Sequence, residues 1–200
     1  MNDQTVYIVD DDAAVRDSLE YLVKSAGMRV ETFISAEDIL ARWGPEFTGC
    51  LVVDVRMPGL NGLEMLEQLF ARGCELPAIV ITGYGEIQGA VKAFKQGAID
   101  YLQKPVNHDV LLGKIRDGLA TDARHRAARG AEAETRRRIA SLTRRQQQVM
   151  RLVLAGHSNK EIAHQLAIST KTVESHRGQV MGKLEVRNIA DLTRLVLSVS

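Results

Sequence analysis

The sequence predicts an α/β unit over residues 1–120 followed by an all-α unit over residues 141–200, and three observations carry that reading. Five short runs rich in Val and Ile each precede a longer amphipathic segment, and this alternation stops near residue 120. Beyond it the apolar residues recur only at helical spacing. Finally, the charge divides with the pattern. Residues 1–120 carry 18 acidic and 11 basic side chains, net −7, whereas residues 121–200 carry 7 and 15, net +8. Averaged over the chain the net charge is only +1, which by itself would argue against a nucleic-acid partner. Divided, it marks two halves with different partners.

The predicted strands are residues 5–9, 29–33, 51–54, 78–81 and 100–103, each short and bounded by Gly, Pro or Asp. Predicted helices cover residues 13–26, 36–43, 63–71 and 87–96, and residues 108–119 follow the last strand as another. Gly27, Gly73 and Gly97 stand just past three of them, where a left-handed cap is needed. Repeated strand–helix units require a parallel sheet covered on both faces, and right-handed crossovers make it doubly wound, of the flavodoxin-like type. Residues 121–140 are Ala, Arg and Glu with no large apolar residue before Ile139, so they are expected to form a partly helical linker that continues the preceding helix. Helices are then expected at residues 143–155, 159–166, 170–184 and 189–199, with Gly156 closing the first and Ser169 capping the third.

Composition excludes several classes. With 45% apolar and 26% charged residues and four prolines, the chain is neither disordered, collagen-like nor a disulfide scaffold. Cys50 and Cys74 match no metal spacing, and Cys50 opens an apolar run as expected of a buried free thiol. No apolar run approaches the ~18 residues needed to span a bilayer. The N-terminus shows no basic region followed by an apolar stretch, so a cytoplasmic protein without membrane attachment is expected.

In an open parallel sheet, ligands bind beyond the carboxyl ends of the strands. The first strand ends in Asp10, Asp11 and Asp12, the third in Asp54, the fourth in Thr82 and Gly83, and the fifth near Lys104 and Pro105. Carboxylates about 4 Å apart repel by roughly 4 kcal/mol at an effective dielectric of 20, so such a cluster calls for a cation. All-oxygen ligation suits Mg²⁺ with a phosphate. Lys104 and Thr82 would contact the remaining phosphoryl oxygens, and an Asp in that setting is a plausible nucleophile. Helix capping alone accounts for any single Asp but not for the lysine.

The run Asp10-Asp11-Asp12, then Asp54-Val55-Arg56-Met57-Pro58-Gly59, Thr82-Gly83 and Lys104-Pro105, resembles the receiver domain of two-component response regulators over residues 1–120. The resemblance implies that a sensor histidine kinase phosphorylates Asp54, with Thr82 and Lys104 contacting the phosphate. It implies that Asp10, Asp11, Asp54 and the backbone carbonyl of Arg56 surround Mg²⁺, and that Thr82 and Tyr101 are switch residues. Asp12 matches a less constant position and is expected to cap the first helix. Arg56 and Tyr84 would line the route of the attacking water. The dimerisation surface would be residues 87–96, the fifth strand and the helix after it, with Val91, Lys95 and Tyr101 on or beside it.

Residues 159–166, a turn at Ala167, Ile168 and Ser169, and residues 170–184 form a helix-turn-helix, whose second helix enters the major groove. Val173, Val180 and Leu184 mark its buried stripe, leaving Lys171, Glu174, Ser175, Gly178 and Gly182 on the other side. A Gly within a helix costs about 1 kcal/mol relative to Ala, and close approach to a groove gives Gly178 a reason. Asn159, Lys160, Thr170, Thr172, Arg177 and Lys183 are candidates to hold phosphates.

Leu142-Thr143, Gly156, Ser158-Asn159-Lys160-Glu161-Ile162-Ala163, Thr170-Lys171-Thr172-Val173, His176 and Lys183-Leu184 resemble the LuxR-type DNA-binding domain. Together the halves are similar to the NarL/FixJ family, FixJ-like branch, which implies no enzyme but a transcription regulator. It would dimerise when phosphorylated, bind an inverted-repeat promoter and engage RNA polymerase. Base reading would fall to Lys171, Glu174, Ser175 and Gly178. Gln146 stands where the family usually has Glu, which is expected to weaken a local ion pair. Glu185 replaces a common Gly and puts the left-handed cap there in question. Two rival classes are a haloacid-dehalogenase-type phosphohydrolase, whose second acid is missing because position 56 is Arg, and a receiver whose helical tail binds protein.

Overall fold

The computed structural model describes residues 4–83 and 98–199; Tyr84, Val91, Lys95, Gly97 and the helix expected at residues 87–96 lie outside the described residues. The chain divides into two units, Met1–His125 and Arg126–Ser200.

The first unit is built on β1 (Thr5–Val9), β2 (Arg29–Phe33), β3 (Gly49–Asp54), β4 (Ala78–Thr82) and β5 (Ala98–Gln103), all parallel in the order β2-β1-β3-β4-β5. The period of two along each strand sorts its side chains to opposite faces. Tyr7, Val9, Leu51, Val53 and Val80 pack with α2 (Ala36–Arg42) and α3 (Gly62–Ala71), including Ile39, Met65, Leu66 and Leu69. Val6, Ile8, Cys50, Val52, Ile79 and Ile81 pack with α1 (Ala13–Ser25) and α4 (His108–Ala140), including Leu19, Val23, Leu111 and Ile115. Both faces of the central strands are therefore apolar. That is why these strands read as continuous Val/Ile runs rather than as alternating ones. The strand order reverses between β1 and β3, and the fold's binding crevice opens there.

Local chemistry fixes the helix starts. Asp12 caps α1 by accepting from Ala14 and Val15 N–H, and Ser35 caps α2. Asn61 caps α3 in a capping box with Glu64. Helix α4 continues unbroken through Gly130 to Ala140, so the segment expected to be partly helical is helical throughout. Within that segment Asp122 is only 2% exposed; its carboxylate accepts from Gln4 Nε2 at 3.0 Å and from Gly49 N–H at 2.9 Å.

The second unit holds α5 (Arg144–Leu154), α6 (Asn159–Leu166), α7 (Thr170–Leu184) and α8 (Ile189–Leu197) around a core that includes Val149, Val153, Ile162, Val173, Val180, Leu184 and Leu192. Thr143, Ser158 and Ser169 cap α5, α6 and α7. The left-handed cap at Glu185 is retained despite its side chain, with φ 54°. Its carboxylate receives Arg138 Nη1 at 2.7 Å.

Candidate functional site

The carboxyl edge of the sheet gathers Asp10 after β1, Asp54 at the end of β3, Thr82 at the end of β4 and Lys104 after β5. Asp10, Asp54 and Thr82 are 2%, 5% and 1% exposed. The Lys104 ammonium lies between the two carboxylates, 3.0 Å from Asp10 Oδ2 and 2.6 Å from Asp54 Oδ1. Its own N–H bonds the Thr82 carbonyl at 2.6 Å, so β4 and the Lys104 backbone hold each other in register. The other Asp10 oxygen accepts from Asp12 N–H at 2.9 Å, which ties the acid to the start of α1.

Among the described residues Lys104 is the cation that bridges the two buried acids, and Arg16 Nη1 bonds the Asp10 carbonyl at 2.8 Å. Burial, the largest effect, pushes the Asp54 carboxyl above its usual range, and the Asp10 charge adds to it. The hydrogen bond and charge of Lys104 and the Arg56 N–H oppose that rise without cancelling it. For Lys104, burial pulls the ammonium down, but its hydrogen bonds and ion pairs with Asp54 and Asp10 outweigh that and hold it above its usual range. The result is a buried carboxyl whose charged form is disfavoured by its surroundings and held against a fixed donor, Lys104.

No group of three or more acidic, His or Cys side chains stands close enough to hold a metal ion among the described residues. The residues still fit one. Asp10 and Asp54 are two buried carboxylates with a single cation between them, Asp11 is exposed beside them, and the donor set is entirely oxygen. Asp12 is spent on the α1 cap. Tyr101 is half-buried at the edge of the core that contains Val80. A cleft of about 370 Å³ lined by Ala14, Ser18, Ile81, Pro105 and Val106 opens beside Lys104.

Sequence reasoning passed over three residues that brace the sheet, two of them at this edge. A Cβ on Gly62 would lie 2.0 Å from the Asp54 carbonyl oxygen, so only glycine lets α3 start against β3. The Gly62 N–H also bonds the Val55 carbonyl at 3.0 Å. Glu37 Oε1 receives Leu60 N–H at 3.2 Å and pins the loop after β3 to α2; hydrogen bonds from its own and Leu60's N–H hold this carboxyl below its usual range. Asp122 fastens the opposite edge of the sheet. Of the three, only Gly62 left a signal in the sequence, a glycine at the first position of a helix where alanine is better.

In the second unit, Lys160, Thr170, Lys171, Glu174, Ser175 and Gly178 are exposed. A Cβ on Gly178 would meet open space, so no intramolecular contact requires that glycine. The other candidates are engaged within the unit. Arg177 Nη1 donates to Asn159 Oδ1 at 2.5 Å, and Thr172 and Ser169 share a hydroxyl–hydroxyl bond of 2.8 Å. Lys183 Nζ lies 3.1 Å from both the Ser141 carbonyl and Gln146 Oε1. Gln146 thus keeps the contact an acid would make, as an ion–dipole bond, and it also donates to Gln179 Oε1 at 2.9 Å.

A doubly wound sheet with buried acids and a lysine at its carboxyl edge, joined to a helix-turn-helix, defines a phosphoacceptor domain with a DNA-binding output. Residues 6–116 match the response regulator receiver domain, and residues 140–196 match the bacterial regulatory proteins of the luxR family. The chain belongs to the response regulators that combine these two domains, FixJ-like in type. It is 41% identical to the transcriptional regulatory protein FixJ of Azorhizobium caulinodans over 96% of this chain and 91% of that one. It is 43% identical to the response regulator protein TmoT of Ectopseudomonas mendocina over 98% and 90%. Among solved structures it is similar to the response regulator StyR, with TM-score 0.88, 45% identity and coverage of 97% and 98%. Full-length FixJ from B. japonicum gives TM-score 0.62 and 38% identity over 100% and 98%. The chain is a phosphorylation-regulated, DNA-binding transcription regulator.

Proposed function

We propose that Asp54 is the phosphoacceptor and that a sensor histidine kinase is the donor. The observation that carries this reading is the Lys104 ammonium held between two buried carboxylates, Asp54 at 2.6 Å and Asp10 at 3.0 Å. One Asp54 oxygen attacks phosphorus as the phosphohistidine N–P bond breaks, leaving an acyl phosphate on Asp54 and a neutral imidazole on the donor. Lys104, beside Asp54 at 2.6 Å, would stabilise charge on the phosphoryl oxygens, and the hydroxyl of Thr82, buried at the end of β4, would donate to another. Asp10, Asp11, Asp54 and the Arg56 carbonyl would hold Mg²⁺. Its chemistry when bound is to neutralise charge on the oxygens in flight. Thr82 and Tyr101 would then reorient, and the phosphorylated protein would dimerise.

In the helical unit, Lys171, Glu174, Ser175 and Gly178 would face base edges and Lys160, Thr170, Thr172, Arg177 and Lys183 the phosphates of an inverted repeat, from which the dimer would engage RNA polymerase. No described helix is long and apolar enough to cross a membrane. A regulator of bacterial DNA works where that DNA lies, in the cytoplasm.

Labelling with a small phosphodonor in the presence of Mg²⁺ tests the acceptor. Wild type should gain one acid-stable, base-labile phosphoryl group and Asp54→Asn none; equal labelling of the variant would remove Asp54 from its role.

A further inference from the structure

Asn159 is the first residue of α6, behind the Ser158 cap, and both ends of its side chain are used. Its amide oxygen accepts from Arg177 Nη1 at 2.5 Å, and its amide nitrogen donates to Glu174 Oε1 at 3.5 Å. The orientation of that amide is forced, because only oxygen can face a guanidinium and only nitrogen can face a carboxylate. Glu174 and Arg177 stand three residues apart on α7 and so share one face. Arg177 is half-buried, bordering the core with Val153 and Val180, whereas Glu174 is exposed. The guanidinium thus faces the amide oxygen, and the amide nitrogen reaches the exposed carboxylate at the outer limit of a hydrogen bond.

We propose that Asn159 is a positioning residue for base reading, fixing the direction of the Glu174 carboxylate, with Arg177 fixing Asn159 in turn. The proposal rests on the assignment of Glu174 to base edges. A glutamate reads a base by accepting from a donor such as the cytosine amino group, and it discriminates only if it points one way. Free in solvent, its three rotatable bonds would spread that direction. Held by Asn159, the carboxylate is presented to the groove before DNA arrives, so specificity at one base pair comes to depend on a residue of the neighbouring helix.

The test uses the full-length protein treated with a phosphodonor. The preferred duplex is selected from a randomised pool, and affinities are then measured for it and its single-base variants. Glu174→Gln should alter the preference at one base pair. Asn159→Ala and Asn159→Asp should each lower discrimination at that same pair by about fivefold or more and leave the base preference at other pairs unchanged. Asn159→Asp keeps an oxygen for Arg177 but replaces the donor to Glu174 by a like charge that repels it, whereas Asn159→Ala removes the donor without adding charge, and melting of each variant confirms that it folds. Unchanged base preference in Glu174→Gln would overturn the assignment of Glu174 and the proposal with it. A changed preference in Glu174→Gln with intact preference in both Asn159 variants, or with a uniform loss of affinity across all duplexes, would overturn the proposal alone.

Discussion

Replacing Gly62 by alanine should damage both stability and phosphorylation, for a reason visible only in three dimensions. The added methyl would meet the Asp54 carbonyl oxygen at 2.0 Å and Val53 Cγ1 at 2.7 Å. Ordinary C–H···O contacts lie near 3.3 Å, so the start of α3 must retreat by about 1.3 Å. Backbone cannot swing aside as a side chain would. The retreat stretches the Gly62 N–H bond to the Val55 carbonyl and pulls on the loop that follows the acceptor. Overpacking of about 2 kcal/mol and one weakened hydrogen bond of about 1 kcal/mol give about 3 kcal/mol in all. For a unit of this size that lowers the melting temperature by roughly 10 °C. A displacement of about 1 Å at the acceptor should slow labelling by a small phosphodonor on the order of 100-fold. Gly73→Ala is the control. Its φ of +86° imposes strain of about 1 kcal/mol, but its Cβ would meet open space far from the site. Denaturant unfolding and labelling rates, measured on both variants, decide the matter. If Gly62→Ala unfolds and labels like Gly73→Ala, close approach is not what holds the acceptor in place.

The Asp54 carboxyl is raised above its ordinary 3.8, so the folded protein favours its neutral form, and the stability this group contributes below pH 3.8 is lost as pH rises through the folded value. Metal-free Asp54→Asn should therefore exceed wild type in stability near neutral pH, with the difference shrinking as urea unfolding is followed down towards pH 4; a constant or reversed difference would contradict the cause assigned. Asp122→Ala leaves the Gly49 N–H without its buried acceptor and the Gln4 amide with only the Leu119 carbonyl, and should destabilise the first unit by about 3 kcal/mol, measured by the same unfolding. Glu185→Gly removes a left-handed side chain at φ 54° and should stabilise the helical unit by about 1 kcal/mol. Glu185→Ala keeps the strain, loses the Arg138 contact and should instead lower the melting temperature.

The acceptor edge was legible in the sequence because its residues are tied to strand ends. Once the Val/Ile runs are placed, a parallel sheet sends Asp10, Asp54, Thr82 and Lys104 to one side whatever the loops do. The Asp12 cap was legible for a similar reason, being a contact between near neighbours in sequence. What stayed hidden depends on packing between distant segments. Gly62 is a weak signal, a glycine opening a helix, whose cause is seen only when the Asp54 carbonyl is found against it. Asp122 sits in a stretch whose composition is that of a solvated helix, and only Gln4 and Gly49, more than 70 residues away, make it buried. Glu185 was misjudged in the opposite sense. Composition at one position put the left-handed cap in question, whereas the Val186 N–H to Met181 carbonyl bond and the packed Leu184 beside it hold the turn. The contacts of Asn159 with Arg177 and Glu174 were hidden for the same reason, since spacing along one helix does not reveal a partner on the next.

The central claim is that phosphoryl transfer to Asp54 controls DNA binding by the helical unit. It is tested most directly by measuring the affinity of the full-length protein for its selected duplex with and without a phosphodonor, in wild type and Asp54→Asn at one salt concentration. The donor should tighten wild-type binding and leave Asp54→Asn unchanged. An equal response in both proteins, or none in wild type that is demonstrably phosphorylated, would contradict it.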